Sequence, residues 1–104
     1  MEQMHLLRRS MELMKGGEKA ALATIIRTKG STPRKAGSKM IVYSCGRIEG
    51  TIGGGCGEAI VIEKALEVIK TNRHSQQRVD LTKGLFYEDG GICGGIMDVF
   101  IEPL

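Results

Sequence analysis

Between residues 53 and 57, four of five positions are glycine and the fifth is Cys56. Glycine loses more backbone freedom on ordering than any other residue, so neither a strand nor a helix interior is expected to run through this stretch. Downstream, Val61, Ile62, Ala65, Leu66, Val68 and Ile69 recur at helical spacing and predict a helix over 58–70 that Asn72 can end. The glycine run therefore leads into a helix N-terminus, where backbone N–H groups carry partial positive charge and an anion can approach closely. From spacing alone, the run is equally well read as a tight connection needed only for packing.

The segments around it complete an α/β chain, borderline α+β. Met4, Leu7, Met11 and Met14 step by three and four before Gly16 and Gly17, which predicts an amphipathic helix with these methionines in the core. The alternative use of such a stripe is an adaptable partner-binding surface. Residues 20–26 are nearly continuously apolar, as in a central strand covered on both faces of a mixed or parallel sheet. Residues 29–37 form a loop, and residues 39–43 and 47–51 flank Ser44-Cys45-Gly46 as a β-hairpin. A short strand over 77–81, a glycine-punctuated loop over 83–95 and a last strand over 96–101 follow. The expected architecture is one domain over 1–104, with two main helices packed on a mixed sheet of about five strands.

A chain of 104 residues suits one hydrophobic core, and with two Phe, two Tyr and no Trp that core must be aliphatic. The formal charge of +3 is dispersed apart from Arg34, Lys35 and Lys39, which argues against a nucleic-acid surface but leaves room for a local anion site. No apolar stretch is long enough for a membrane span and the N-terminus does not read as a signal peptide, so a cytoplasmic location is expected. Cys45, Cys56 and Cys93 lack the pairing of a disulfide framework and read as free thiols.

Cys56, beside a helix N-terminus, is the best candidate for a reactive thiol or soft-metal ligand. Cys93 lies in a second backbone-exposing loop, Gly90 to Gly95, that could converge on the first; for each thiol a buried, inert cysteine is the competing reading. Glu58 stands where a dinucleotide fingerprint needs a small residue, and no Gly-Lys-Ser/Thr ending makes a Walker loop. Glu58 is also favourable simply as a carboxylate in a first helical turn. With that fingerprint broken no NAD is expected; with no paired Cys spacing and with His5 and His74 isolated no zinc is expected, and spacing singles out no hydrolytic triad.

Taken in order, Gly30-Ser31-Thr32-Pro33-Arg34, Gly37 with Met40, Gly50 to Cys56 with Glu58, Cys93-Gly94-Gly95 and Ile101 to Leu104 resemble the N-terminal domain of the xanthine dehydrogenase accessory and carbon monoxide dehydrogenase maturation family. The resemblance implies a maturation factor that binds the molybdenum cofactor and assists its sulfuration or insertion into a molybdenum hydroxylase, as a chaperone more than a catalyst. It implies one binding rim. Ser31 would donate a hydrogen bond, Arg34 would pair with the pterin phosphate, and Gly53, Gly54, Gly55, Glu58, Gly94 and Gly95 would surround it. Cys56 or Cys93 would be the thiol contact to molybdenum. Many relatives continue into a dinucleotide-binding domain, so a separate protein of that kind is an implied partner, beside a sulfur donor and self-association into a homo-oligomer; the soft ligands do not distinguish a molybdenum-only role from one linked to selenium-dependent hydroxylases. Two other readings stay open: an interaction or regulatory module that binds no cofactor, and a sulfur-transfer enzyme with Cys56 as nucleophile.

Overall fold

In a computed structural model of the protein, residues 2–82 and 94–104 are described, except for the side chains of Glu2 and Cys56. The elements run α1 (Glu2–Met14), β1 (Ala20–Lys29), β2 (Lys39–Tyr43), β3 (Ile48–Gly50), α2 (Gly55–Thr71), β4 (Ser75–Asp80) and β5 (Ile96–Pro103). Five strands form one sheet in the order β3-β2-β1-β5-β4.

The apolar run of β1 puts it at the centre of this sheet, as its composition predicts. Ala21, Ala23 and Ile25 turn towards α2, whereas Ala20 and Leu22 turn to the face that carries α1. The expected parallel component is absent from the described pairings, which are all antiparallel. The registers make β3 and β4 run in the same direction, but the crossover through α2 delivers them to opposite edges, where they cannot pair. Two-sided cover, not parallel pairing, explains the apolar run. The register shifts at Ile26, which is half exposed, and the shift brings Arg27 opposite Asp98.

Helix α2 starts three residues earlier than its apolar pattern suggests. Gly54 caps it with φ 78°, and Gly57 within its first turn allows close approach to the sheet: a Cβ there would stand 3.3 Å from Val79 Cγ1 and 3.4 Å from Leu81 Cδ2. Asn72 ends the helix in the left-handed conformation, φ 57°, its N–H donating to the Val68 carbonyl at 2.8 Å. Val61, Ala65 and Val68 are completely or almost completely buried, and with Ile25, Met40, Met97, Val99 and Ile101 they make the main core.

Helix α1 corrects the core assignment of its methionines. Met4, Leu7, Met11 and Met14 are 57%, 42%, 61% and 68% exposed. The helix instead buries Leu6 and Ser10 and half-buries Leu13 in a smaller cluster with Ala20, Leu22, Ile41 and Tyr43. Polar Ser10 is accommodated there because its hydroxyl donates to the Leu6 carbonyl at 2.9 Å. Polar contacts turn the helix the same way: His5 Nε2 and Arg9 Nε each lie 3.5 Å from the Glu49 carboxylate on β3, and Glu49 also accepts from the Tyr43 hydroxyl. Burial, then the bond to Glu49, pushes the Tyr43 phenol up to about 12, while that same bond, with Arg9, His5 and Arg47 nearby, holds the Glu49 carboxyl below its usual value.

Candidate functional site at the glycine-rich loops

Three loops meet at one end of the sheet because glycines let their backbones touch. Gly30, at φ 76°, lies against Gly94 and Gly95; a Cβ on Gly30 would be 3.0 Å from the Gly94 carbonyl oxygen. A Cβ on Gly95 would collide with the Ser31 carbonyl and stand 2.8 Å from that of Lys29. Gly53, at φ 134°, packs on the ring of Pro33, leaving no room for a side chain. The residues around Ser31, the 53–55 run and Gly94-Gly95 are therefore contiguous, as a shared rim requires.

The glycine run is arranged differently from an open anion cradle. Glu58 Oε2 accepts from Thr51 Oγ1 at 2.6 Å, from the Gly54 N–H at 3.0 Å and from the Ile52 N–H at 3.3 Å, while the Gly53 N–H donates to Thr51 Oγ1 at 3.0 Å. The protein's own carboxylate thus takes the place that a bound anion would take on two of these N–H groups. Glu58 braces the loop. Among the described residues, nothing lies within 4 Å of where a Cβ on Gly54, Gly55 or Gly94 would stand, and these exposed glycines give the rim its described accessible surface.

Ser31 and Arg34 are both exposed. The Arg34 carbonyl accepts from Thr32 Oγ1 at 2.8 Å, which fixes the turn, and Arg34 lines a shallow cleft of ≈ 50 Å³ with Gln3, Ser38, Lys39 and Thr51. Thr51 belongs to both this cleft and the Glu58 brace. Cys56 is the second residue of α2; its side chain, and all of Cys93, lie outside the described residues. Cys45 is an exposed free thiol in the hairpin turn, with its Sγ 4.0 Å from Glu18 Oε2. His5 sits by Glu49, and the His74 ring lies 5.5 Å from that of Phe100. Among the described residues, no group of three or more His, Cys, Asp or Glu side chains is placed to hold a metal ion. No described helix is long and apolar enough to cross a membrane.

Two features escaped the reading of the residues. Thr51 carries no motif of its own; only a hydroxyl followed seven positions later by Glu58 hints at the brace. Asp98 interrupts the apolar last strand and is 4% exposed. Arg78 on one neighbouring strand donates to it through Nε at 2.9 Å and a terminal nitrogen at 3.3 Å, and Arg27 on the other lies 3.8 Å away. These guanidinium groups, Arg78 foremost, hold the Asp98 carboxyl below its usual value. A carboxylate within an apolar strand was the available signal.

The chain is similar to several larger proteins. It is 38% identical over 82 residues to the uncharacterized protein YqeB of Escherichia coli K12, covering 79% of this chain and 15% of the relative. It is 34% identical over 73 residues to the molybdenum cofactor insertion chaperone PaoD of the same organism, covering 70% and 23%. It is also 34% identical over 100 residues to a probable xanthine dehydrogenase subunit of Bacillus subtilis, covering 88% and 28%. A crystal structure described as a xanthine dehydrogenase from Bacillus halodurans superposes with a TM-score of 0.80 at 29% identity, over 99% of this chain and 30% of that one. The chain therefore spans less than a third of each of these relatives. The XdhC and CoxI family profile matches residues 13–80, from the end of α1 through β4, and by this match and these identities the chain belongs to the XdhC and CoxI family.

Proposed function

We propose that the protein serves the maturation of a molybdenum hydroxylase by binding the molybdenum cofactor as cargo and assisting its sulfuration or insertion. The observation that carries this reading is the convergence of the three glycine-dependent loops beside Arg34. Such a rim offers backbone surface that no described side chain obstructs, together with an exposed guanidinium suited to a phosphate oxygen. The similarity to a protein named as a molybdenum cofactor insertion chaperone supports the same assignment.

Within this reading, Arg34 binds the pterin phosphate, Ser31 donates a hydrogen bond, and the exposed edges at Gly54, Gly55, Gly94 and Gly95 shape the cargo surface. Because Glu58 occupies the Gly54 and Ile52 N–H groups and Thr51 that of Gly53, the part of Glu58 and of Gly53 is to hold the rim in shape. Cys56 and Cys93 are the thiols assigned to the molybdenum side of the cargo, since thiolate is a soft ligand. The client hydroxylase, and a sulfur donor or dinucleotide-binding protein working beside this domain, are the partners that this function requires.

The test is anaerobic incubation with isolated molybdenum cofactor, then gel filtration and fluorescence of the oxidised pterin. Wild type is expected to retain the cofactor, with loss in Arg34→Ala and in Cys56→Ser or Cys93→Ser. Retention unchanged in all three variants overturns the site assignment, and no retention by wild type overturns cargo binding by this chain.

A further inference from the structure

The cleft beside the rim is lined by Gln3, Leu6, Arg34, Ser38, Lys39 and Thr51, and no acidic residue is among them. The backbone at its edge is already satisfied. The Gly37 N–H donates to the Ile25 carbonyl at 2.7 Å, the Ser38 N–H donates to the Lys35 carbonyl at 3.1 Å, and the Gly37 carbonyl accepts from Gln3 Nε2 at 2.9 Å. The Thr51 hydroxyl is engaged in both directions, donating to Glu58 and accepting from the Gly53 N–H, and Glu58 in turn has three donors of its own in Thr51, Ile52 and Gly54. What remains in the cleft is a set of donors: the Arg34 guanidinium, the Lys39 ammonium, the Ser38 hydroxyl and the second N–H of the Gln3 amide. Among the described residues neither Arg34 nor Lys39 has a carboxylate partner, and the Lys39 ammonium lies 3.5 Å from the Thr24 hydroxyl. Spare donors around one hollow call for an acceptor-rich anion.

We propose that Lys39 is the second cation of a phosphate subsite in this cleft and makes it selective for a terminal phosphate monoester over a bridging diester. The inference rests on the reading of Arg34 as the phosphate-binding residue and adds which form of phosphate that residue accepts. A monoester carries three free oxygens and close to two negative charges at pH 7, whereas a diester has two free oxygens and one charge. Two cations without carboxylate partners match the monoester. The cleft volume of ≈ 50 Å³ has room for about four oxygen-sized atoms, which is one phosphate head without a second substituent beside it. The two cations are also held differently. Lys39 opens β2 and is paired with Thr24 of the central strand, while Arg34 sits in the loop whose turn the Thr32 hydroxyl fixes. Lys39 thus supplies a charge based on a rigid strand, and Arg34 supplies the planar fork that matches two phosphate oxygens.

The test titrates the ¹⁵N-labelled chain at pH 7 with methyl phosphate and with dimethyl phosphate, following backbone amide signals. Methyl phosphate is expected to shift the amides of Ser38, Lys39 and Thr51 and to bind about tenfold more tightly than dimethyl phosphate. Lys39→Gln should bring the two probes within about twofold of each other, Lys39→Arg should keep the preference, and Arg34→Ala should weaken both. Unchanged amide signals at Ala21 and Val99, buried in the main core, report that each variant is folded. The subsite is overturned if neither probe shifts these amides, if both bind wild type equally, if the shifts centre on Gly54 and Gly55 instead, or if Lys39→Gln keeps the full preference. Retention of isolated cofactor separates this outcome from the cargo reading. Wild type that binds methyl phosphate through Lys39 yet retains no cofactor keeps the subsite and ends the cargo assignment, whereas cofactor retained equally by wild type and Lys39→Gln overturns the subsite and leaves cargo binding in place.

Discussion

The two helices of this domain look alike as patterns and differ in what they cover. Each has an apolar stripe at helical spacing, yet α2 buries its stripe in the main core while α1 turns its methionines outward and is held by Leu6, Ser10, Leu13 and a cluster of charges. Periodicity thus marks a face able to be buried, and the partner surface decides whether this chain buries it. Among the described residues, fourteen buried in the main cluster against five in the smaller one set the expected energetic contrast.

The sharpest way to break this contrast is to cut into each side equally. Ile101→Ala, at a fully buried position beneath α2, should cost about 3 kcal/mol and lower the denaturation midpoint strongly. Met11→Ala on α1 should stay within about 0.5 kcal/mol. Equal losses in urea titrations would show that the stripe of α1 is covered in solution and end the distinction between the two helices.

A second large effect is expected at the loop end of the α2 face. Gly95→Ala places a methyl against the Ser31 and Lys29 carbonyls, backbone that can yield only by separating the loops, so it should cost about 2 kcal/mol or more. Gly54→Ala meets no neighbouring atom, but its φ of 78° makes the cost about 1 kcal/mol. Chemical denaturation of both variants ranks them; the reverse order would mean that contact between the loops is not what fixes the rim.

How much was legible in the sequence follows the same division. The order of elements, the central strand, the hairpin, the Asn72 stop and the family were readable because each depends on local chemistry or on motif order. The cover of α1 was not, since the polar side chains that orient it, His5 and Arg9 with Glu49, are far apart along the chain. The all-antiparallel pairing was also hidden, because a strand covered twice looks apolar whichever way its neighbours run. At the rim, the glycines announced close backbone approach, but not that Glu58 would take the N–H of Gly54 and Thr51 that of Gly53. Removing that brace by Glu58→Ala should cost about 1–2 kcal/mol and raise amide exchange at Ile52 and Gly54; unchanged exchange there would mean that the loop holds its shape without the carboxylate.

The smallest effect concerns the face of β5 and β4 turned away from α2, where Asp98 is paired by charge. Asp98 is buried between Arg78 and Arg27, and its carboxyl is held below the usual range chiefly by the hydrogen bonds from Arg78. A depressed folded-state pKa adds stability that is complete above the unfolded value, near 4 for an aspartate, and is lost as pH falls through the folded value. Asp98→Asn should therefore lower the melting temperature modestly at pH 7, and the gap from wild type should close as the pH falls below about 4. Salt should shrink the gap only in part, since the carboxylate is buried although both guanidinium groups meet solvent. Melting curves at pH 7 and pH 3 decide the matter. A gap that persists at the lower pH would assign the role of Asp98 to shape rather than charge, since a protonated Asp98 offers the guanidinium groups of Arg78 and Arg27 no charge to pair with.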